Sequence, residues 1–512
     1  DLHKEYRRQR QMCIRDSSNS DPNSSLLDWI RIEKDLKGTK EGCAEGDCGA
    51  CSILLSPING GEYRPANSCL LKIGQVSGSD ILTVEGIGSK DKPSPIQEAL
   101  TSHGGSQCGF CTPGFVIAIA SLLNKKNKPK DVDIHDALAG NLCRCTGYRP
   151  IMDAIYNVKA NINLKDTKPW IQSKKFTGKK SNFYYPKTLK EAYSISINKK
   201  NTHYLSGGTD LNLNEEVSHN KTNYILLNRI LELNSLVEKD NEIHIGAALT
   251  LEDTLQCFEK HFSPLAEILR RFGSSQIRSQ ATIAGNLCTA SPIGDTAPSL
   301  MALGGTVTIF SNDKKRYISI DDLFSDYRKT VLNPNDILCS IILPIPPSTK
   351  SFHAWKVSKR HDQDISTVSI ASLIGVNENN IIQSCKICFG GLSATTLRTK
   401  EVEKTLLGKN PVTAQNDAIN TLKKTIKPLS DLRGSAIYRT DLAVGLLKRL
   451  LYCVSNKNSH VEVMKVNINE DKITSQIESL IKNYENQLGN INQKFENKID
   501  KIQSGEVRKL TN

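Results

Sequence analysis

The sequence has no run of about eighteen or more apolar residues, so no membrane-spanning helix is expected. No apolar stretch follows the charges near its start, which argues against an export signal and for a cytoplasmic location. Aromatic residues are scarce, at 6% with 3 tryptophans, and they do not interleave with the lysines. The net charge of +13 therefore does not read as a nucleic-acid platform. Lysine is instead spread along the whole chain as a solvated surface, and neither a nucleic acid nor a membrane is expected as partner. A G-x-G-x-x-G turn between a strand and a helix is also missing, so a Rossmann nucleotide fold is not expected.

Cysteine is what the chain does have, 15 in 512 residues. Eight of them sit in tight clusters, and in a long chain without an export signal that pattern favours metal over disulfides. A chain of this length has room for several domains, each with its own core. The first seventeen residues stand apart. Met12-Cys13-Ile14-Arg15-Asp16-Ser17 back-translates to ATG-TGT-ATA-AGA-GAC-AGN, which resembles a sequencing-library transposon adaptor read in frame. Asp1 to Ser17 are expected to be foreign to the natural chain, whose own start, a β-hairpin, would then be missing.

Leu26, Leu27, Trp29, Ile30 and Ile32 predict a short amphipathic helix ahead of a glycine-rich loop. The loop supplies Cys43, Cys48 and Cys51, and Cys69 follows at a distance. C-x4-C-x2-C with a remote fourth cysteine is the plant-type [2Fe-2S] spacing. A thiolate-bound cluster needs backbone N–H donors near its sulfurs, and Gly42, Gly46 and Gly49 let the main chain come that close. Structural zinc, the alternative, usually pairs one C-x2-C with a second. Ser52–Leu55 and Leu70–Ile73 read as strands gripping the loop in a β-grasp arrangement.

In the second set, Ser94 and Pro95 start a helix that Gly104-Gly105 stops. Cys108-Gly109-Phe110-Cys111 follows, with Thr112 as cap and Pro113 in the first turn of a helix whose apolar body is Phe115–Leu123. Cys143-Arg144-Cys145 precedes a further helix near Pro150 carrying Ile151, Ala154 and Ile155. Both cysteine pairs thus lie at helix starts, where free N–H groups and positive potential favour thiolates. They sit in a four-helix unit of approximate two-fold symmetry. A thioredoxin-like role for Cys108 and Cys111 is the alternative, but it leaves Cys143 and Cys145 without a purpose.

The order C-x4-C-x2-C…C, then QCGFCTPG, then NLCRCTGYRPI, resembles the molybdenum hydroxylase family of xanthine dehydrogenases, aldehyde oxidases and carbon monoxide dehydrogenases. The resemblance covers Leu26 to about Ala160. It implies that the Cys143/Cys145 cluster lies nearest a molybdopterin, with Gln107 and Cys145 at the facing edge, and the Cys43 cluster nearest a flavin. Downstream, Leu205-Ser206-Gly207-Gly208-Thr209-Asp210-Leu211 and Thr282-Ile283-Ala284-Gly285-Asn286 are glycine-centred segments able to approach a phosphate. The pair resembles the FAD domain of the same family, where two such loops enclose the pyrophosphate. By that resemblance Asp295 contacts the flavin's polar end, while Phe272, Leu338 and Lys356 line flavin and adenine. Gly208 and Asp210 depart from the Asn and Glu that eukaryotic members often carry. The resemblance continues from about Phe352 to Leu451, with strands near Ile370 and Ile387.

The expected fold is multidomain α+β. A β-grasp, ferredoxin-like [2Fe-2S] domain spans 18–91 and a four-helix [2Fe-2S] domain 92–164. A linker at 165–178 leads to an α+β FAD-binding domain at 179–345, with a C-terminal α+β subdomain at 346–455. The tail, 456–512, repeats apolar residues with an eleven-residue period and predicts a long amphipathic helix for packing or docking. The other cysteines after residue 150 (Cys257, Cys288, Cys339, Cys385, Cys388 and Cys453) read as buried thiols. Strand alternation puts Cys385 and Cys388 on opposite faces.

Without a molybdopterin domain, an Fe–S/FAD chain of this kind resembles the small subunit of a bacterial xanthine dehydrogenase. That implies a molybdopterin-binding large subunit as partner, a higher hetero-oligomer, and NAD⁺ as acceptor, with no catalytic residue of the molybdenum site on this chain. The segment Val357–Ile365 matches a loop beside the flavin that governs access of NAD⁺. The rivals are an aldehyde or other heterocycle hydroxylase, and a stand-alone electron carrier.

Overall fold

The computed structural model describes residues 12–13, 20–57, 60–126, 128–158, 162, 164, 174–213 and 221–456. The amphipathic tail lies outside the described residues. Ser25 caps the first turn, Leu26–Asp28, by accepting a hydrogen bond from the Asp28 N–H. The chain continues in a wider turn over Trp29–Glu33. Leu26, Leu27, Trp29 and Ile30 are buried as the pattern predicts, whereas Ile32 faces solvent at 75% exposure. They pack on a four-stranded sheet of β1 (Met12–Cys13), β2 (Ser52–Leu55), β3 (Arg64–Asn67) and β4 (Asp80–Leu82), in the order β1-β4-β2-β3. A two-residue pairing such as β1 on the open edge of β4 is within reach of any extended segment. The expected strand at Leu70–Ile73 is not one. The partner of β2 lies earlier, in β3, and Ser68–Leu70 is a 3₁₀ turn followed by the helix Ile73–Val76. Cys69 has to turn back toward the loop, and a straight strand there would carry its sulfur away.

The second cysteine set stands in a unit of four helices, α1 (Pro95–Ser102), α2 (Thr112–Lys125), α3 (Asp131–Leu138) and α4 (Arg149–Tyr156). α1 packs on α4 and α2 on α3, as the approximate two-fold implies. Ser94 and Gln97 form a reciprocal capping box with Pro95 in the first turn, and Gly104 ends the helix region at φ +67°. The cap of α2 differs from expectation. Cys111 is its N-cap residue and Thr112 already belongs to the helix, its hydroxyl paired with Ser106 at 2.8 Å.

The flavin half holds two sheets. In the first, β5 (Lys175–Thr177), β6 (Ser181–Tyr184), β7 (Thr202–Leu205) and β8 (Thr222–Leu226) are ordered β5-β6-β8-β7, with β6 and β7 parallel to β8. β5 occupies the end of the expected linker. The second sheet is antiparallel. Its strands are β9 (Leu236–Lys239), β10 (Glu242–Gly246), β11 (Thr306–Ser311), β12 (Lys314–Ser319) and β15 (Ile337–Pro344), ordered β12-β11-β15-β10-β9. A short ribbon of β13 (Phe324–Asp326) and β14 (Lys329–Thr330) interrupts the succession. Helices α5 (Leu251–His261), α6 (Ser263–Arg270) and α7 (Ile283–Thr289) share the large core with this sheet.

A last antiparallel sheet, β16 (Lys350–Val357), β17 (Val368–Val376), β18 (Ile382–Gly390) and β19 (Leu397–Arg398), is backed by α8 (Ala436–Ser455). Along β18, Cys388 enters the large flavin core and Cys385 packs against the core beneath α8, on opposite faces as alternation requires. The expectation of uniformly buried thiols holds for Cys339 and Cys388. It does not hold for Cys288, which is exposed, nor for the half-buried Cys257, Cys385 and Cys453. Among the described residues no helix is long and apolar enough to cross a membrane.

Candidate functional site

The first cysteine loop is wrapped around its sulfurs by backbone. Cys43 Sγ accepts hydrogen bonds from the N–H groups of Glu45, Asp47 and Cys48 at 3.4, 3.3 and 3.3 Å. A Cβ on Gly42 would lie 2.6 Å from Cys48 Sγ, so only glycine admits that approach. Cys51 and Cys69 sulfurs lie 3.3 Å apart. The hydrogen bond they share lowers the Cys51 thiol, while that bond and burial raise the Cys69 thiol: two sulfurs this close compete for one proton.

In the second set the pairing runs across the two loops. Cys145 is the cysteine across the loops that acts on Cys108, and Cys143 the one that acts on Cys111. These neighbours run across the two loops, unlike a self-contained Cys108/Cys111 dithiol of the thioredoxin kind. Cys108 and Cys145 are exposed, as is Gln107, while Cys143 is buried. The Tyr148 hydroxyl accepts from Cys143 N at 3.0 Å, and Tyr148 itself, at φ 69°, turns the chain into α4.

Cys51 and Cys69 thus stand together in the first set, where the Cys48 N–H also reaches Cys43 Sγ. Among the described residues no group of three or more His, Cys, Asp or Glu side chains could hold a metal ion. A [2Fe-2S] cluster takes four thiolates, which Cys43, Cys48, Cys51 and Cys69 in one set and Cys108, Cys111, Cys143 and Cys145 in the other would supply. The two loops also touch. Leu142 N, beside Cys143, donates to Cys48 O at 3.0 Å, and Asn141 Nδ2 donates to Gly49 O at 3.2 Å. Gly49 sits at φ +67°, where an added Cβ would lie 2.1 Å from Gly140 O.

The glycine segments of the flavin half meet as well. Gly207 packs on the segment preceding Thr282, with its missing Cβ 2.1 Å from Gln280 O, and Thr289 Oγ1 donates to Asp210 at 3.4 Å. Leu205 is buried in a small core with Phe183 and Tyr224, against which Leu211 packs, so these leucines anchor the loop. Gly208 has φ +73°. Thr282 caps α7 by accepting from Gly285 N at 3.0 Å, with Ile283 and Ala284 buried beneath, and Asn286 Oδ1 accepts from Thr296 at 2.6 Å. Ser206 Oγ is buried without a partner, a polar atom consistent with a missing polar ligand or water. The donor set and the glycine approach fit a dinucleotide.

Asp295 is 6% exposed and accepts from Lys356 Nζ at 2.7 Å and Ser366 Oγ at 2.5 Å. Lys356 also donates to Arg271 O and Asp364 O at 3.1 and 2.9 Å, so its ammonium is satisfied within the protein and ties Asp295 to the segment before Phe272. Phe272 and Leu338 both pack in the core that contains Ile283 and Ala284. The residues expected at the flavin thus share one region. Ser366, Gln75 and Asn212, which reach into it, carry no sequence signal that marks them.

Fold and sites define an iron–sulfur flavoprotein. The family described as "FAD binding domain in molybdopterin dehydrogenase" matches residues 175–346, "[2Fe-2S] binding domain" matches 83–156, and "CO dehydrogenase flavoprotein C-terminal domain" matches 353–454. The xanthine dehydrogenase of Emericella nidulans is 30% identical over 90% of this chain, and that of Oryza sativa subsp. japonica 32% over 75%. The chain spans only 39% and 35% of those proteins. A solved carbon monoxide dehydrogenase from Hydrogenophaga pseudoflava shares the fold, with a TM-score of 0.50 and 24% identity over 52% of this chain and 94% of that one. The chain carries the iron–sulfur and FAD domains of the molybdenum hydroxylase family.

Proposed function

We propose that this chain is the electron-transfer part of a xanthine dehydrogenase, serving a molybdopterin-binding partner in hypoxanthine and xanthine oxidation with NAD⁺ as acceptor. The observation that carries the direction of transfer is the exposure of the two sites. Cys108 and Cys145 open to the surface, with Phe110 and Leu142 each 47% exposed beside them, an apolar rim suited to a partner. Cys51 is buried, and its loop faces inward to the flavin half, where a Cβ on Gly46 would lie 3.2 Å from Ile277. When bound, the two clusters supply one-electron relay and FAD the step from single electrons to hydride.

The chain's own residues hold each group in place. Cys43, Cys48, Cys51 and Cys69 would hold the inner cluster, and Cys108, Cys111, Cys143 and Cys145 the outer one. Loops 205–211 and 282–286 would hold FAD, with Asp295, Phe272, Leu338 and Lys356 around the ring system. Purine as substrate rests on the relatives named xanthine dehydrogenase. The test is the purified chain with and without a molybdopterin-binding partner. Alone it should reduce an artificial dye with NADH yet leave hypoxanthine unchanged, and the complex should form NADH from hypoxanthine. Oxygen consumption outpacing NADH formation would reject NAD⁺, and turnover of aldehydes but not purines would reject the substrate.

A further inference from the structure

The rear of the first flavin loop is held by the cluster domain. Gln75 lies in the helix Ile73–Val76, shortly after Cys69, and is 2% exposed. Its Nε2 donates to Gly207 O at 2.7 Å and more weakly to Ser206 O at 3.4 Å, and its Oε1 accepts from Asn212 Nδ2 at 3.1 Å. Asn212 Nδ2 also donates to Leu70 O at 2.7 Å, on the residue next to Cys69. Asn212 N closes the loop on Gly208 O at 2.9 Å. The junction has no slack: a Cβ on Gly208 would lie 2.7 Å from Asn212 Nδ2 and 3.1 Å from Gln75 Oε1.

In a trans peptide the C=O and the following N–H point in opposite directions. With the Ser206 and Gly207 carbonyls drawn toward Gln75, the N–H groups of Gly207 and Gly208 are turned away from the cluster domain. We propose that Gln75 is a positioning residue that aims these two amides at the FAD diphosphate and thereby couples flavin retention to the Cys43–Cys69 cluster. A filled cluster fixes Cys69, hence Leu70 O and the helix bearing Gln75, and the loop is then held in its binding form. Linkage makes the effect reciprocal. The inference rests on the reading of residues 205–211 as the flavin loop.

The test uses the full chain, FAD titration by flavin fluorescence, and iron and sulfide content. Gln75→Leu should weaken FAD about tenfold, within the usual range of coupling between sites, with both clusters retained. Cys69→Ser should weaken FAD by a similar factor in the wild-type background and have no added effect on Gln75→Leu, which a merely structural loss would not produce. Chelator bleaching of the cluster provides the same comparison if Cys69→Ser does not fold. Wild-type FAD affinity in a cluster-replete Gln75→Leu chain, or independent addition of the two effects, would overturn the proposal. Gly208→Val separates the two readings. If it binds FAD normally, residues 205–211 are not the flavin loop. If it loses FAD while Gln75→Leu keeps it, only the coupling fails.

Discussion

Replacing Arg278 with Met should undock the helical cluster domain from the flavin half. The Arg278 side chain is 0% exposed. It donates two hydrogen bonds of 2.8 Å to Asp136 on α3, one of 3.2 Å to Glu252 on α5, and one of 2.8 Å to Arg270 O. Methionine fills much of the same space but leaves two carboxylates facing each other across the seam. Removing one partner of a buried ion pair costs about 3–5 kcal/mol. Asp136 and Glu252 keep side-chain exposures of 24% and 23%, which places this case near the lower end. About 3 kcal/mol is roughly a hundredfold in an opening equilibrium.

Hydrogen exchange of the α3 and α5 amides is the assay, since it reads local opening where a single unfolding transition would not be two-state. Burial, opposed by Arg278, already holds the Asp136 carboxyl above the usual range. Without the guanidinium its folded pKa rises further. A raised carboxyl pKa contributes stability at low pH that is lost as pH rises through it, so the defect should grow as pH rises above the ordinary carboxylate range. Protection changed by less than about fivefold, the size of an exposed ion pair, would refute the reasoning.

Other outcomes follow from the same contacts. The replete chain should hold about four irons and four acid-labile sulfides, and Cys145→Ser should remove one EPR signal while the other persists. Asp295→Leu leaves the 0%-exposed Lys356 ammonium without its anion and should cost about 3–5 kcal/mol, seen as a lowered Tm; adding Lys356→Met should recover most of it. The Arg64–Asp253 pair, at 2.7 Å, joins the cluster domain to the flavin half. Burial raises the Asp253 carboxyl, but the Arg64 hydrogen bond and charge more than offset this and hold it below the usual range. A depressed pKa gives stability that is present above the ordinary carboxylate value and lost as pH falls through the folded one. The difference between wild type and Asp253→Asn in denaturant melts should therefore be present at about pH 7 and be lost progressively as pH falls below the ordinary carboxylate range.

Cysteine spacing, glycine placement and helix capping are local, and they were legible. Cys43, Cys48 and Cys51 sit close along the chain because a cluster loop must be short, and Ser94-Pro95 starts α1 through bonds made within one turn. The same locality explains the errors. Leu70–Ile73 is apolar enough for a strand, but the direction of Cys69 imposes a turn there. Thr112 can serve as a cap by type, yet Cys111 occupies that position.

What tertiary structure alone decided are the meetings between distant residues. That Cys145 acts on Cys108 and Cys143 on Cys111 depends on how the starts of α2 and α4 meet, where Phe115 lies edge-on to Tyr148. Cys48 O reaches Leu142 N only once two domains dock on their glycines. Gln75, Asn212 and Ser366 are ordinary polar residues in sequence, and their roles come from carbonyls and carboxylates far along the chain. A hydrogen bond depends on distance in space, and only the fold sets which separated groups come within reach.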